Sequence, residues 1–324
     1  MNKTDLKIQR ELSKEQGFYD GRFAPRVIKN KKKEMNKLLC RKNKLKSHYK
    51  VIALLFIISA GLLSYSILLG DTKQKSKDKQ TTDQQTQFRY APNDAYGFGE
   101  HFEYDIKYSF IKAGEGTIQI MPKPIIKNNR ECYDVRFEAR SLKSLEFLYK
   151  VLDKYRSAID VSGLFPWEFE QIIREGNYKR DFKAYFDQVG NFAYANKKMY
   201  KTPPYVHDVI SAFYYVRSLN LSAMKKGEII QLKNFWDDST YSLGVKILGK
   251  TEVEVPAGKF RCVVVEPVDI QGGLFRNTGK IFIYLTDDER KMPVKVASKI
   301  LIGEVMAELT SYSGLRGPVK AKLD

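Results

Sequence analysis

Apolar and polar residues alternate along much of the chain beyond residue 96. In Glu100–Phe110, Phe102, Tyr104, Ile106, Tyr108 and Phe110 take one side, while His101, Glu103, Asp105, Lys107 and Ser109 take the other. Successive strand side chains point to opposite faces, so this spacing predicts a half-buried β-strand. Phe165, Trp167 and Phe169 alternate with Pro166, Glu168 and Glu170. Beyond Glu175-Gly176-Asn177, Tyr178, Arg180, Phe182, Ala184 and Phe186 alternate with Lys179, Asp181, Lys183, Tyr185 and Asp187. These two runs predict a long hairpin in which glycine supplies the turn. Leu243–Ile247, Phe260–Glu266 after a Pro256-Ala257-Gly258 turn, Gly279–Thr286, Pro293–Ile302 and Gly303–Tyr312 continue the pattern. Short connections predict antiparallel neighbours. No repeat with a solenoid or propeller period is visible.

Two segments break the alternation. Leu142, Leu145, Leu148 and Leu152 lie at helical intervals in Ser141–Leu152, and so do Val206, Val209, Ile210, Phe213, Tyr214 and Val216 in Tyr205–Leu219. The expected fold class is mainly β (α+β): a strongly curved antiparallel sheet or half-barrel of about ten strands with two short helices. This β-rich domain is placed at residues 96–316, followed by a tail at 317–324.

Hydropathy adds a second part. Val51–Gly70 contains twenty consecutive uncharged residues, VIALLFIISAGLLSYSILLG. As a helix rising about 1.5 Å per residue it would be roughly 30 Å long, the thickness of a bilayer core. The fold is therefore expected to be preceded by one transmembrane helix, and residues 51–70 make the membrane the first expected partner. Of the net charge of +18, residues 1–50 carry +11, from sixteen Lys/Arg against five Asp/Glu. Basic residues stay on the cytoplasmic side, so residues 1–50 are read as a basic cytoplasmic arm and the folded part as lying beyond the membrane. No nucleic-acid partner is expected, because the excess charge sits in this arm and the rest is nearly balanced; an anionic inner leaflet suits the arm better.

The end of the apolar run, Ile67-Leu68-Leu69-Gly70-Asp71, offers no small-residue cleavage site, and Cys40 precedes the run rather than following it. A retained anchor is the preferred expectation, giving a single-pass membrane protein with its domain on the far side. Export after signal cleavage is the alternative. Met35 opens an ordinary basic n-region and is an alternative start. Residues 71–95 are read as a polar linker, since DTKQKSKDKQTTDQQTQ has no apolar residue to offset ordering.

The chemistry-bearing residues are sparse. Past the apolar run the chain has His101, His207, Cys132 and Cys262, with no zinc-ligand spacing, serine elbow or phosphate loop. Gly114-Glu115-Gly116 is read as a hairpin turn, His207-Asp208 as a polar helix start, and Asp287-Asp288-Glu289 as a polar turn too poor in oxygens for calcium. No catalytic residue, metal or cofactor is expected. Cys132 and Cys262 are a candidate disulfide in an oxidising compartment. Their face parities differ, so a bridge would need a bulge or adjacent curved strands.

The ordered words GEHFEYDIKYSFIKAGEG, YKVLDKYRSAID, IIREGNYKRDF, DVISAFYYVRSL, VPAGKFRCVVVEP, IYLTDDERKMPVKV and GEVMAELTSY resemble the bacterial exported-protein family called domain of unknown function 3108, over about residues 97–315. The resemblance implies an envelope protein with a signal sequence and a β-rich domain, which makes the expected membrane the bacterial inner membrane and puts the folded domain in the periplasm, and it implies no activity. The chain departs from that family in its long basic arm and its missing cleavage site.

Phe, Tyr and Trp make up 13% of the chain, largely on alternating strands. Aromatic rings on a curved sheet fit a non-enzymatic module that binds an apolar, lipid-like or envelope partner. The candidate face comprises Tyr104, Tyr108, Trp167, Phe169, Tyr178, Phe182 and Tyr214; the same rings would equally fill a core. A structural module docking another envelope protein through exposed strand edges is the alternative. A hydrolase of envelope polymers using Glu168, Glu170 and Glu175 is the lesser one.

Overall fold

The alternating segments pair into one antiparallel sheet that follows chain order with a single jump. The computed structural model describes residues 88–269, 280–299 and 304–323. Its first half supplies β1 (His101–Tyr108), β2 (Ile111–Ile120), β3 (Ile125–Lys127), β4 (Arg130–Ser141), β5 (Leu152–Asp160), β6 (Pro166–Glu175), β7 (Tyr178–Asp187), β8 (Phe192–Ala195) and β9 (Lys198–Lys201). Helix α1 (Val209–Ser218) follows. The second half supplies β10 (Ile229–Trp236), β11 (Ser239–Val255), β12 (Gly258–Asp269), β13 (Ile281–Thr286), β14 (Pro293–Lys299), β15 (Glu304–Ser313) and β16 (Lys322–Leu323).

The hydrogen-bonded order is β10-β11-β12-β13-β14-β15-β1-β2-β4-β5-β6-β7-β8-β9, with β3 on β4 and β16 on β12. The β1–β15 seam joins the halves, Phe102 opposite Tyr312 and Tyr108 opposite Val305. Among the described residues there are thus sixteen strands rather than about ten. The shortest of those unforeseen, β3, β8, β9 and β16, have two to four residues, too few for a period of two to register.

The sheet curls but stays open. Its two ends, β9 and β10, do not pair with each other. The chain leaving β9 instead runs along the free edge of β10, where His207 N–H donates to Lys233 O at 2.8 Å and Phe235 N–H donates to His207 O at 2.7 Å. Bulges sharpen the curl, as at Ile247/Gly249 in β11, where Gly249 has φ 123°. The expected membrane span at 51–70, the basic arm and most of the linker lie outside the described residues. Among the described residues no helix is long and apolar enough to cross a membrane.

Helix α1 fills the concave face. Asp208 caps it, its Oδ1 accepting the N–H groups of Ile210 (2.7 Å) and Ser211 (3.0 Å), while Ser211 Oγ accepts from Asp208 N–H at 3.0 Å. This reciprocal cap satisfies donors that a helix start otherwise leaves unpaired. Val209 packs with Phe169, Phe182, Phe235 and Trp236. Ala212 and Val216 pack with Leu243, Val245, Val265 and Ile283. Tyr214 packs with Ile120, Tyr133, Val135 and Ile159. One short helix therefore touches strands from both halves of the sheet.

The second expected helix, Ser141–Leu152, does not form. It is a loop with one 3₁₀ turn at Lys143–Leu145, and Phe147 and Leu148 point into solvent. Arg140 pairs directly with Leu152 across β4 and β5. A twelve-residue helix would separate its ends by about 18 Å, whereas paired strands lie about 5 Å apart. Sheet pairing wins over leucine spacing. Gly114-Glu115-Gly116 is likewise no turn: these residues lie inside β2, and the turn falls at Ser109-Phe110. Gly114 is required by close approach, since a Cβ there would stand 2.5 Å from Arg140 O.

Packed residues also lie on both sides of the expected 96–316. Phe88 packs on Phe165 and Trp167 with ring centroids 5.5 and 5.6 Å apart. In the expected tail, Ala321 is buried and Arg261 N–H donates to Ala321 O at 2.8 Å.

The helix is pinned by a buried ion pair. Arg217 and Glu100 are both 0% exposed. The guanidinium reaches both Glu100 oxygens at 2.7 Å and also donates to the carbonyls of Lys291 (3.0 Å) and Arg290 (3.2 Å). Its carbon lies 5.0–5.5 Å from the ring centres of Tyr96, Phe102 and Tyr214. Removing one member of such a pair strands the other charge out of water, at a cost of about 3–5 kcal/mol. Glu100→Gln is expected to lower unfolding free energy by about that amount in urea titrations followed by tryptophan fluorescence. Glu100→Leu with Arg217→Met should recover most of the loss; equal stability of Glu100→Gln and the parent chain would contradict this account.

Candidate functional site

The residues expected on a ligand face do not converge. Tyr104 is buried and its hydroxyl donates to Pro293 O at 2.8 Å. Trp167 is buried and its Nε1–H donates to Asp160 Oδ2 at 3.2 Å. Phe169 and Phe182 stack with Trp236 in the core, at centroid separations of 6.3 and 5.6 Å. Tyr214 is buried beside Tyr96 and donates to Glu100 Oε1 at 3.4 Å. Tyr108 is half-buried beside Ile106, and Tyr178 is exposed at the β6–β7 turn. Most of these rings are core, distributed over several clusters.

The carboxylates considered for hydrolysis also separate. Glu168 and Glu170 face outward and pair with Lys127 (2.7 Å) and Lys183 (2.5 Å). Glu175 faces inward and meets Asp153 on β5, whose Oδ1 accepts Arg174 N–H at 3.0 Å. Burial pushes the Glu175 carboxyl well above its ordinary range, and the neighbouring Asp153 adds to the shift. Burial raises Asp153 less, against hydrogen bonds that favour its charged form. The pair shares one proton at neutral pH, which is a way to bury two acids rather than a cleft that holds substrate.

His207 is also accounted for by structure. Arg89 Nη2 lies 3.3 Å from His207 Nε2, and a guanidinium can only donate, so Nε2 accepts. Nδ1 therefore carries the hydrogen and points it at Ser211 Oγ, 3.2 Å away. Burial, with the Arg89 charge beside it, pushes His207 down to about 3, so the ring stays neutral. Asp288 is a loop organiser: its Oδ1 accepts Thr286 Oγ1 (2.7 Å) and Arg290 N–H (3.0 Å), and its Oδ2 accepts Ala321 N–H (2.9 Å). The expected disulfide is absent. Cys132 and Cys262 are free, buried in separate clusters, and burial pushes both thiols up to about 12.

What remains is an apolar notch between α1 and the sheet. Val209, Ala212, Phe213 and Val216 of the helix face Leu243 and Val245 of β11, Val265 and Pro267 of β12, and Ile283 and Leu285 of β13. The enclosed space is about 30 Å³. Phe213 and Pro267 are its half-exposed members and mark the mouth. With no polar side chain in its lining, the notch can take only hydrocarbon, held by dispersion and exclusion of water. The helical spacing of Val209, Phe213 and Val216 was a visible signal for a buried face. The gap left opposite it depends on how β11–β13 curve, which no local pattern carries.

The proton-sharing pair gives a pH dependence with a defined sign. Folded Glu175 holds its proton above pH 4.5, where the unfolded side chain has lost it, so folding takes up a proton. That contribution to stability is fully present below pH 4.5 and is lost as pH rises through the raised value. Glu175→Gln is expected to flatten the fall in stability between about pH 5 and about pH 9, measured by denaturant unfolding across that range. An unchanged slope would remove the shared proton from the account.

Three solved structures resemble the chain. A β-barrel-like protein of domain of unknown function DUF1849 from Brucella abortus shares 11% identity, covering 68% of this chain and 99% of that one, with a TM-score of 0.45. A candidate exported protein with a YmcC-like fold from Bacteroides fragilis shares 10%, covering 69% and 98%, with a TM-score of 0.26. A candidate lipoprotein from Parabacteroides distasonis shares 8%, covering 70% and 100%, with a TM-score of 0.31. At such scores these likenesses carry no argument about ligand or activity. No curated protein matches the chain. The model of the family described as Protein of unknown function (DUF3108) matches residues 103–310, and the chain belongs to that family.

Proposed function

We propose that this chain is a membrane-anchored module of the bacterial cell envelope that binds an apolar, lipid-like group without chemical conversion, at the notch between α1 and β11–β13. The single observation that carries the reading is the all-hydrocarbon lining of that notch on the concave side of the sheet. The apolar run at 51–70, flanked on its N-terminal side by a strongly basic arm, supports the anchor and a periplasmic body. At about 30 Å³ the notch takes the end of a chain rather than a whole lipid, for which pockets of roughly 300 Å³ or more are usual. An acyl terminus or a lone hydrophobic side chain has the matching chemistry.

A photoactivatable fatty acid supplied to native membranes tests the site. Crosslinks are expected on peptides from α1 and β11–β13, besides those on residues 51–70. Ala212→Val adds methyl groups to the notch and should strongly reduce only the first set. Labelling confined to 51–70, or labelling of α1 unchanged by Ala212→Val in a folded variant, would defeat the proposal.

A further inference from the structure

Two cations lie next to each other in the β13–β14 loop with no anion to meet them. Arg290 and Lys291 are each 9% exposed. Arginine and lysine sunk this far are almost always paired, since a charge held away from water needs a partner. Among the described residues neither side chain forms an ion pair or a hydrogen bond, and Arg290 Nη1 is sealed from solvent without an acceptor. Burial pushes the Lys291 ammonium below its ordinary value; Asp288 opposes that, while the Arg217 and Arg290 guanidiniums beside it add to it.

The acids nearby are engaged elsewhere. Glu100 gives both oxygens to Arg217, Asp287 meets Lys250 at 2.9 Å, and Glu289 meets Lys320 at 2.9 Å. Asp288 uses its oxygens on Thr286 Oγ1 and on the N–H groups of Arg290, Lys291 and Ala321. Setting the Asp288 charge against one of the two cations still leaves the loop with a positive charge in excess. Arg261, whose Nη2 donates to Lys320 O at 3.1 Å, adds another.

The loop is held in place without help from either cation. Arg217 fixes the carbonyls of residues 290 and 291 from the helix side. Thr286 N–H donates to Met292 O at 2.9 Å, and Met292 N–H donates to Thr286 Oγ1 at 2.8 Å. Lys291 takes φ 43°, a left-handed conformation that residues with a side chain seldom adopt and that a firm surround must maintain. From the C-terminal stretch Gly317 comes close: a Cβ there would stand 3.8 Å from Arg290 Nη1. We propose that Arg290 and Lys291 form a binding site for a phosphate group, carried by a soluble phosphate or by a lipid headgroup. The guanidinium offers a planar fork of N–H donors and the ammonium a separate point charge. A carboxylate would use both oxygens on the fork, whereas a phosphate keeps another for the ammonium. The inference depends neither on the notch nor on residues 51–70.

Thermal unfolding of the full chain in a neutral detergent, with chloride exchanged for inorganic phosphate at constant ionic strength, tests this. Phosphate is expected to raise the midpoint of the parent chain in a concentration-dependent way. Arg290→Gln and Lys291→Gln should each weaken phosphate binding roughly tenfold or more, the scale of a hydrogen bond to a charged group. Lys112→Gln, on β2, should leave it unchanged. In phosphate-free buffer Arg290→Gln should be at least as stable as the parent, because the charge it removes has no partner there; with phosphate the order should reverse. Phosphatidylglycerol in mixed micelles represents the lipid source. Protection by inorganic phosphate assigns the site to a soluble phosphate. Protection by phosphatidylglycerol alone, lost in Arg290→Gln, assigns it to a headgroup. Acetate protecting as well as phosphate, protection that survives both substitutions, or none from either source would overturn the site. So would an Arg290→Gln chain weaker than the parent by the same amount in both buffers, the mark of a purely structural arginine.

Discussion

The contact between Arg217 and Glu100 decides where everything on the concave face sits. Arg217 is at the last turn of α1, Glu100 immediately precedes β1, and the two carbonyls that Arg217 also reaches belong to the β13–β14 loop. Three distant parts of the chain thus meet at one guanidinium. Its planar fork fits the carboxylate with two parallel hydrogen bonds, an arrangement lysine cannot reproduce. Burying two charges is expensive, and hydrocarbon of similar volume often does as well energetically. What the pair adds is position: the helix can settle in one register along the groove, because any shift leaves a charge unpaired.

With the helix placed, the two faces of the sheet have opposite character. Inside, aromatic rings from β5–β7 and β10 enclose one end of α1 while aliphatic residues of β11–β13 line the other. Outside, cross-strand ion pairs keep β4–β7 wetted. The notch arises where the aliphatic end is packed less completely than the aromatic end. Ala212 is the smallest helix residue lining it, so the void and the choice of alanine belong together.

Much of this arrangement is legible in the chain's sequence. Alternation marked β1, β6, β7 and the C-terminal strands, because each of those buries one face and wets the other. Helical spacing marks α1 but starts it at Tyr205, four residues before the observed Val209, because Asp208 caps the helix rather than lying in its first turn. Local spacing misled where a tertiary demand outranked it. The leucines of Ser141–Leu152 fit a helix, but the pairing of Arg140 with Leu152 forbids one. Gly114-Glu115-Gly116 looked like a turn, yet glycine is there to let β2 approach β4. Aromatic richness was visible but ambiguous, since a ring packed into a core and a ring lining a pocket have the same strand parity. The notch and the unpaired cations of the β13–β14 loop depend on relations among segments far apart in sequence or on the absence of a partner.

The seam between β1 and β15 sets an order of events for biogenesis. Residue 102 lies against residue 312, so one edge of β1, paired with β2 on its other side, stays open until almost the last strand is made. Contacts so distant in sequence make folding slow and leave strand edges open in the meantime. The open β1 edge is a template on which an unfinished body can pair with another chain, so a helper that covers it during synthesis matters more to this architecture than to a helical bundle of equal length.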